Sequence, residues 1–204
     1  MRLLLLRHGQ TQANVEMRLS GWTDDPLDEQ GNRQARAIAR QLATEGPVSA
    51  VYASPLSRAR TTAEYAARAL GVAEVVERPG LRERHFGIFE SLPLPTIMEQ
   101  YPDFAASWAA RGATDWGPPE GEMPRQFVGR IMDELNGIIE RHSGDERVLV
   151  VTHGGVISAA LAVWFARDPA RWREYLVNNC SVTEVEFCSA PRLVRFNECV
   201  ELEW

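Results

Sequence analysis

The sequence predicts an α/β fold: a three-layer α/β/α sandwich with a mostly parallel central sheet and a helical and loop insertion that covers a site. Three observations predict it. Short apolar runs alternate along the chain with stretches of helical periodicity, the pattern of strands joined by crossover helices. Such an alternation implies a sheet covered on both faces. At 204 residues and 45% hydrophobic content the chain is long and apolar enough to supply that core.

Residues 2–6 form an apolar run ending in Arg7-His8-Gly9, which reads as a central strand releasing the chain into a glycine-permitted turn. After a polar loop through Trp22 and Pro26, Ala35, Ile38, Ala39 and Leu42 recur at helical spacing, with Asp28 as N-cap and Gly46-Pro47 as stop. Residues 48–53 make the next strand. Ser54-Pro55 then leads into an alanine-rich helix over about 56–70 that Gly71 closes, and 73–77 supplies a third strand. Val128, Ile131, Met132, Leu135, Ile138 and Ile139 form a helical stripe, and Ser143-Gly144-Asp145 turns into a strand at 147–152. Gly154-Gly155 opens an apolar helix over 156–165, and β-branched stretches at about 181–187 and 192–197 close the chain. The whole of 1–204 is expected to be a single domain. Residues 92–126, rich in Pro and Trp with one or two helices around 96–111, are read as its insertion.

Composition excludes several function classes. All 22 basic residues are arginine, so Schiff-base catalysis and the lysine of a P-loop are absent, and cationic phosphate contacts fall to arginine or histidine. The net charge of −6 argues against nucleic acid or an anionic membrane as partner, although a local arginine cluster can still bind a small anion. No apolar run approaches the roughly 20 residues that span a bilayer, and 3–6 is too short for a signal-peptide core, so a cytoplasmic location is expected. Cys180, Cys188 and Cys199 are odd in number and lack CxxC spacing. They read as buried free thiols, not as a disulfide framework or zinc site.

In open α/β sheets ligands collect at the carboxyl ends of strands, and two polar signatures stand there: Arg7-His8-Gly9 and Thr152-His153-Gly154-Gly155. A single histidine after a strand is often only structural. Two of four histidines at equivalent strand ends, one beside an arginine and both before glycine, point instead to an anion site. Gly9 and Gly154 would let backbone N–H groups approach the anion. A third strand-to-helix junction, Ser54-Pro55-Leu56-Ser57-Arg58-Ala59-Arg60-Thr61, offers a helix N-terminus and Arg58, while Arg60 reads as a solvated helix charge. In Leu81-Arg82-Glu83-Arg84-His85-Phe86-Gly87 a carboxylate lies among cations, and taken alone this is a surface ion-pair network.

Together with Gln10-Thr11-Gln12-Ala13-Asn14, Leu19-Ser20-Gly21-Trp22, Glu90, Pro119-Glu120-Gly121-Glu122 and Val150-Val151 before Thr152, these pieces resemble the histidine phosphatase superfamily, the phosphoglycerate mutase-like fold. The resemblance covers nearly the whole chain. It implies that His8 is a nucleophile that forms a phosphohistidine, that Arg7, Arg58 and His153 hold the phosphoryl oxygens, and that Glu83 is the general acid and base. It further implies that Asn14, Gln10, Thr11, Ser20 and Gly21 line the phosphate and substrate side with Gly154. Guanidinium groups and imidazoles suit a transition state whose charge is spread over three oxygens, so neither metal nor cofactor is required.

Within the family, Glu83-Arg84-His85-Phe86-Gly87 resembles the mutase version of the segment. The absence of lysine, the lack of paired arginines in the insertion, where Arg111 and Arg125 stand alone, and the compact 92–126 segment resemble the short phosphatase branch. The expected activity is hydrolysis of a small phosphorylated metabolite. A 2,3-bisphosphoglycerate-dependent phosphoglycerate mutase and a catalytically silent binding module are the alternatives, and a homodimer is left open. Phe104, Trp108, Trp116, Met98 and Met123 are placed near the mouth, as an apolar lid or as a satellite core.

Overall fold

A computed structural model describes residues 1–109 and 116–200. Six strands, β1 (Arg2–Arg7), β2 (Ala50–Ala53), β3 (Val75–Glu77), β4 (Arg147–Thr152), β5 (Val182–Phe187) and β6 (Pro191–Glu198), form one sheet in the order β3-β2-β4-β1-β5-β6. The first four are mutually parallel; β5 and β6 are antiparallel additions beside β1. The sheet is thus mostly parallel with β1 and β4 at its centre, and the expected strand at 73–77 shortens to a half-buried three-residue edge.

Leu3 to Leu6 are fully buried because consecutive strand side chains point to opposite faces and both faces are covered. Leu4 and Leu6 pack with Ile38, Leu42, Ala59 and Ala63 from α2 (Glu29–Thr44) and α3 (Ser57–Leu70). Leu3 and Leu5 pack on the other face with Leu135, Ile138, Ile157 and Leu161 from α6 (Pro124–Arg141) and α7 (Gly154–Leu161). Each such leucine contributes roughly 1.5–3 kcal/mol of apolar burial. Local signals set the helix ends: the Asp28 carboxylate accepts the Gly31 N–H at 2.6 Å at the start of α2, and Gly71 closes α3 in the left-handed region at φ 70°. One short helix, α1 (Gln12–Val15), lies in the loop after β1.

The insertion folds as α4 (Leu94–Gln100) and α5 (Pro102–Ala109) around buried Phe89, Ile97 and Phe104, with Met98, Trp108 and Trp116 packed against them. Phe104, Trp108 and Trp116 belong to this satellite core, one of their two expected roles, and also line the cavity beside it. Met98 and Met123 are not among the lining residues, a correction to their expected place at the mouth. Arg111 lies outside the described residues.

Two further differences have physical causes. Beyond α7 the chain continues through a π turn at Ala162–Ala166 into an unanticipated short helical segment, Pro169–Tyr175, started by Asp168 accepting the Ala170 N–H at 2.9 Å. Of the three cysteines only Cys180 is buried. Cys188 and Cys199 are exposed because they follow the last residues of β5 and β6, where the chain leaves the sheet. Among the described residues no helix is long and apolar enough to cross a membrane.

Candidate active site

The parallel pairing of β1 with β4 aligns Arg7 with Thr152, so the two chains leave the sheet side by side and His8 and His153 emerge together. The His8 N–H donates to the Thr152 carbonyl at 2.9 Å, and the imidazole centroids are 5.1 Å apart, inclined at 63°. β2 pairs with β4 on the other side, which places Ser54 against the same end; its hydroxyl meets His153 Nε2 at 2.8 Å.

His8 Nδ1 lies 2.7 Å from the Gly9 carbonyl. A carbonyl only accepts, so Nδ1 carries the proton and donates, leaving Nε2 with a free lone pair. Burial, then the fields of Arg58 and Arg7, hold this imidazole well below its ordinary pKa, and burial with the same two guanidinium groups and His8 does so for His153. Both rings are therefore neutral at pH 6.5, where an exposed histidine is half protonated. The sign of the linked stability follows. The unfolded chain takes up protons near pH 6.5 before the folded one does, so the two histidines contribute fully above that pH and their contribution is lost as pH falls from it toward the folded-state values. Nitrogen-15 spectra of labelled protein should show both midpoints below 6.5; a midpoint for His8 at or above 6.5 would remove the neutral nucleophile.

Two guanidinium groups flank the rings. Arg58, 1% exposed, donates to the Gly21 and Thr23 carbonyls at 2.8 Å each, and Arg7 donates to the Val177 carbonyl at 2.6 Å. Burial draws both below the usual guanidinium pKa, and Arg7 Nε has no hydrogen-bond partner among the described residues, as in a clamp prepared for an anion. At the α3 N-terminus the Ser57 N–H is taken by Asp24 at 2.7 Å. The Gly9 N–H donates to Thr62 Oγ1 at 3.2 Å, which corrects its expected approach to the anion, and its missing side chain allows close approach to Gly31.

Glu83 is brought over this pocket from a distant segment. Thr152 Oγ1 donates to the Leu81 carbonyl at 2.7 Å, which docks the segment onto β4. The Glu83 carboxylate then accepts the Arg84 and Gly155 N–H groups, both at 2.9 Å, and the Trp22 indole donates to its carbonyl at 2.8 Å. A Cβ on Gly155 would collide with Glu83 Oε1. Gly155→Ala is accordingly expected to lower kcat by ~10–100-fold through displacement of the carboxyl group, with vanadate affinity near wild type; equal losses in both would contradict this placement.

The described residues enclose a cavity of about 1260 Å³. Arg7, His8, Asn14, Arg58, Glu83 and Gly154 line it together with Ser20 and Gly21; His153 is not among the lining residues, its ring centroid 5.1 Å from that of His8, its Nε2 on the Ser54 hydroxyl and its Nδ1 without a hydrogen-bond partner among the described residues. Thr11 and Gln10 do not reach it, which corrects their expected place. Thr11 is buried as the cap of α1, sharing hydrogen bonds with Asn14, and Gln10 faces a separate small pocket beside Gln34. Asn179, Arg84, Trp172 and Arg173 lay outside the expectations drawn from the sequence. Asn179 Nδ2 donates to the His8 carbonyl and to Asn14 Oδ1, both at 3.1 Å. Arg84, donating to the Glu122 and Trp116 carbonyls, lines the cavity with its pKa lowered by burial to about 10. Trp172 and Arg173 of the Pro169–Tyr175 segment meet Trp108 to roof it, the guanidinium lying 5.2 Å and 5.0 Å from the two indole rings.

The chain is similar to known proteins over most of its length. The sequence profile of the histidine phosphatase superfamily (branch 1) matches residues 3–198. A metal-independent phosphoserine phosphatase of Arabidopsis thaliana is 40% identical over 158 residues, 77% of this chain and 66% of that protein, slightly less than two thirds of its length. A probable phosphoglycerate mutase of Cronobacter sakazakii (strain ATCC BAA-894) is 31% identical over 193 residues, 95% of this chain and 88% of the relative. Among solved structures, a mycobacterial glucosyl-3-phosphoglycerate phosphatase complexed with VO3 superposes with a TM-score of 0.86 at 31% identity, covering 96% of this chain and 98% of the other. The alpha-ribazole phosphatase from Shigella flexneri does so with a TM-score of 0.83 at 27% identity, covering 100% of both chains.

Proposed function

The chain belongs to the histidine phosphatase superfamily, branch 1, and from that premise we propose that it hydrolyses small phosphate monoesters in two steps on His8. Nε2 attacks phosphorus as the ester P–O bond breaks, and Glu83 delivers a proton to the departing alkoxide. The Nδ1–H bond to Gly9 supports the positive charge that the ring acquires. Water then attacks the phosphohistidine, Glu83 takes its proton, and the N–P bond breaks to release phosphate and neutral His8. Arg7, Arg58 and His153 stabilise the three equatorial oxygens in both steps, and Asn14, Ser20, Gly21 and Gly154 complete the walls.

One arrangement carries this reading: an imidazole whose Nδ1 is tied to the Gly9 carbonyl, leaving the lone pair on Nε2, beside the buried Arg58 and half-buried Arg7 guanidinium groups and the fixed Glu83 carboxyl group. The relatives are named for phosphoserine, glucosyl-3-phosphoglycerate and alpha-ribazole, which differ in the part attached to the phosphate. A cavity lined both by the polar residues around His8 and by the aromatic rings of Phe104, Trp108, Trp116 and Trp172 suits that division of labour. The test is phosphate release from a panel of monoesters. Steady release from several simple esters supports the reading. Isomerised phosphoglycerate, formed only with a bisphosphate primer, would favour the mutase.

A further inference from the structure

Glu90 does not line the cavity, yet its carboxylate accepts four hydrogen bonds from the segments beside it. Oε1 accepts the Trp22 N–H at 2.9 Å and the Phe86 N–H at 3.0 Å; Oε2 accepts the Thr23 N–H at 2.8 Å and the Thr23 hydroxyl at 2.9 Å. The side chain is 13% exposed and has His85 Nε2 at 3.6 Å. Gly21 is in the left-handed region at φ 50°, and a Cβ there would collide with Glu90 Oε1. The 21–23 turn is therefore wrapped around this one carboxylate, which supplies the acceptors that a regular element would otherwise provide.

That turn has two outputs. The carbonyls of Gly21 and Thr23 hold the buried Arg58 guanidinium, and the Trp22 indole holds the backbone of Glu83. Residues 21–23 and 83–86 are remote in sequence, and Glu90 bonds to both. We propose that Glu90 is a positioning residue that registers the Arg58 clamp against the Glu83 acid. It acts through the 21–23 turn and never touches the substrate. The inference rests on the proposed roles of Arg58 and Glu83.

The turn separates the two effects, which makes the proposal testable. Glu90→Gln keeps the shape but turns an amide NH₂ toward backbone donors. It should lower kcat/KM by ~10–100-fold and weaken orthovanadate binding by about tenfold or more, because a misplacement near 1 Å costs up to ~10²-fold. Thr23→Val removes one donor on the clamp side and should weaken orthovanadate with little change in the dependence of kcat on leaving group. Trp22→Phe removes the indole N–H that holds Glu83 while keeping an aromatic ring beside His85, Arg82 and Arg130; it should lower kcat for alkyl esters more than for p-nitrophenyl phosphate at unchanged orthovanadate affinity. A purely structural role would lower the unfolding temperature of all three without this split. If Glu90→Gln does not fold, the other two variants decide the question.

Wild-type kcat/KM and orthovanadate affinity in folded Glu90→Gln, or identical profiles for Thr23→Val and Trp22→Phe, would overturn the proposal. Orthovanadate affinity reads the clamp whether or not the protein turns over. Loss of the proposed function would instead appear in the wild type, as absent phosphate release and absent phosphohistidine.

Discussion

Replacement of His8 by alanine is expected to reduce hydrolysis of every monoester by at least ~10³-fold, because the nucleophile is removed and not merely misplaced. The clamp survives the change: Arg58 is held by the Gly21 and Thr23 carbonyls and Arg7 by that of Val177, none of which involves the His8 side chain. Inorganic phosphate should therefore still bind His8→Ala, and more tightly than expected for a collapsed site. Steady-state kinetics beside an equilibrium titration with phosphate checks both halves. Residual activity within tenfold of wild type would mean that another group, or water directly, attacks phosphorus.

Glu83→Gln is expected to have the second largest effect, a loss of ~10²–10⁴-fold for alkyl esters, the range of general acid–base catalysis. The dependence on leaving group is the sharper part. An alkoxide cannot depart unprotonated, whereas p-nitrophenolate can, so the loss in the first step should shrink sharply for the aryl ester. Deprotonation of the attacking water still needs the carboxylate, so phosphohistidine should accumulate when the aryl ester is the donor. The carboxylate accepts the Arg84 and Gly155 N–H groups. Glutamine can accept only one of them, and some misplacement adds to the chemical loss. Equal losses for alkyl and aryl esters, with no accumulation, would assign Glu83 to binding.

The parts of this site that the sequence made legible are those fixed by one strand or one helix. Leu3 to Leu6 announced a doubly buried strand, and its end placed His8; the run before Thr152 did the same for His153. Arg58 was legible as the arginine in the first turn of a helix after a strand. Glu83 was not: its neighbours read as a surface ion-pair network, and only the family resemblance gave it a role. Glu90 entered only as part of the resemblance and without a role, since two of its N–H partners lie 67 and 68 residues away and leave no periodic trace. Thr11 and Gln10 misled because nearness to His8 in sequence says nothing about which way a side chain turns once α1 begins. The Pro169–Tyr175 roof carried only an Asp-Pro start signal and no apolar stripe. Cys188 and Cys199 show the limit of composition: residue type favours burial, but a position where the chain leaves the sheet decides it.

The central claim is that the phosphoryl group passes through Nε2 of His8. Rapid quenching of wild-type protein with a labelled monoester, followed by peptide mapping, tests it most directly. The account predicts an acid-labile, base-stable phosphoryl group on the peptide containing His8, attached at Nε2, formed and lost at rates compatible with turnover. A label on Nδ1 or on any other residue, or turnover with no labelled protein at any time, would contradict it.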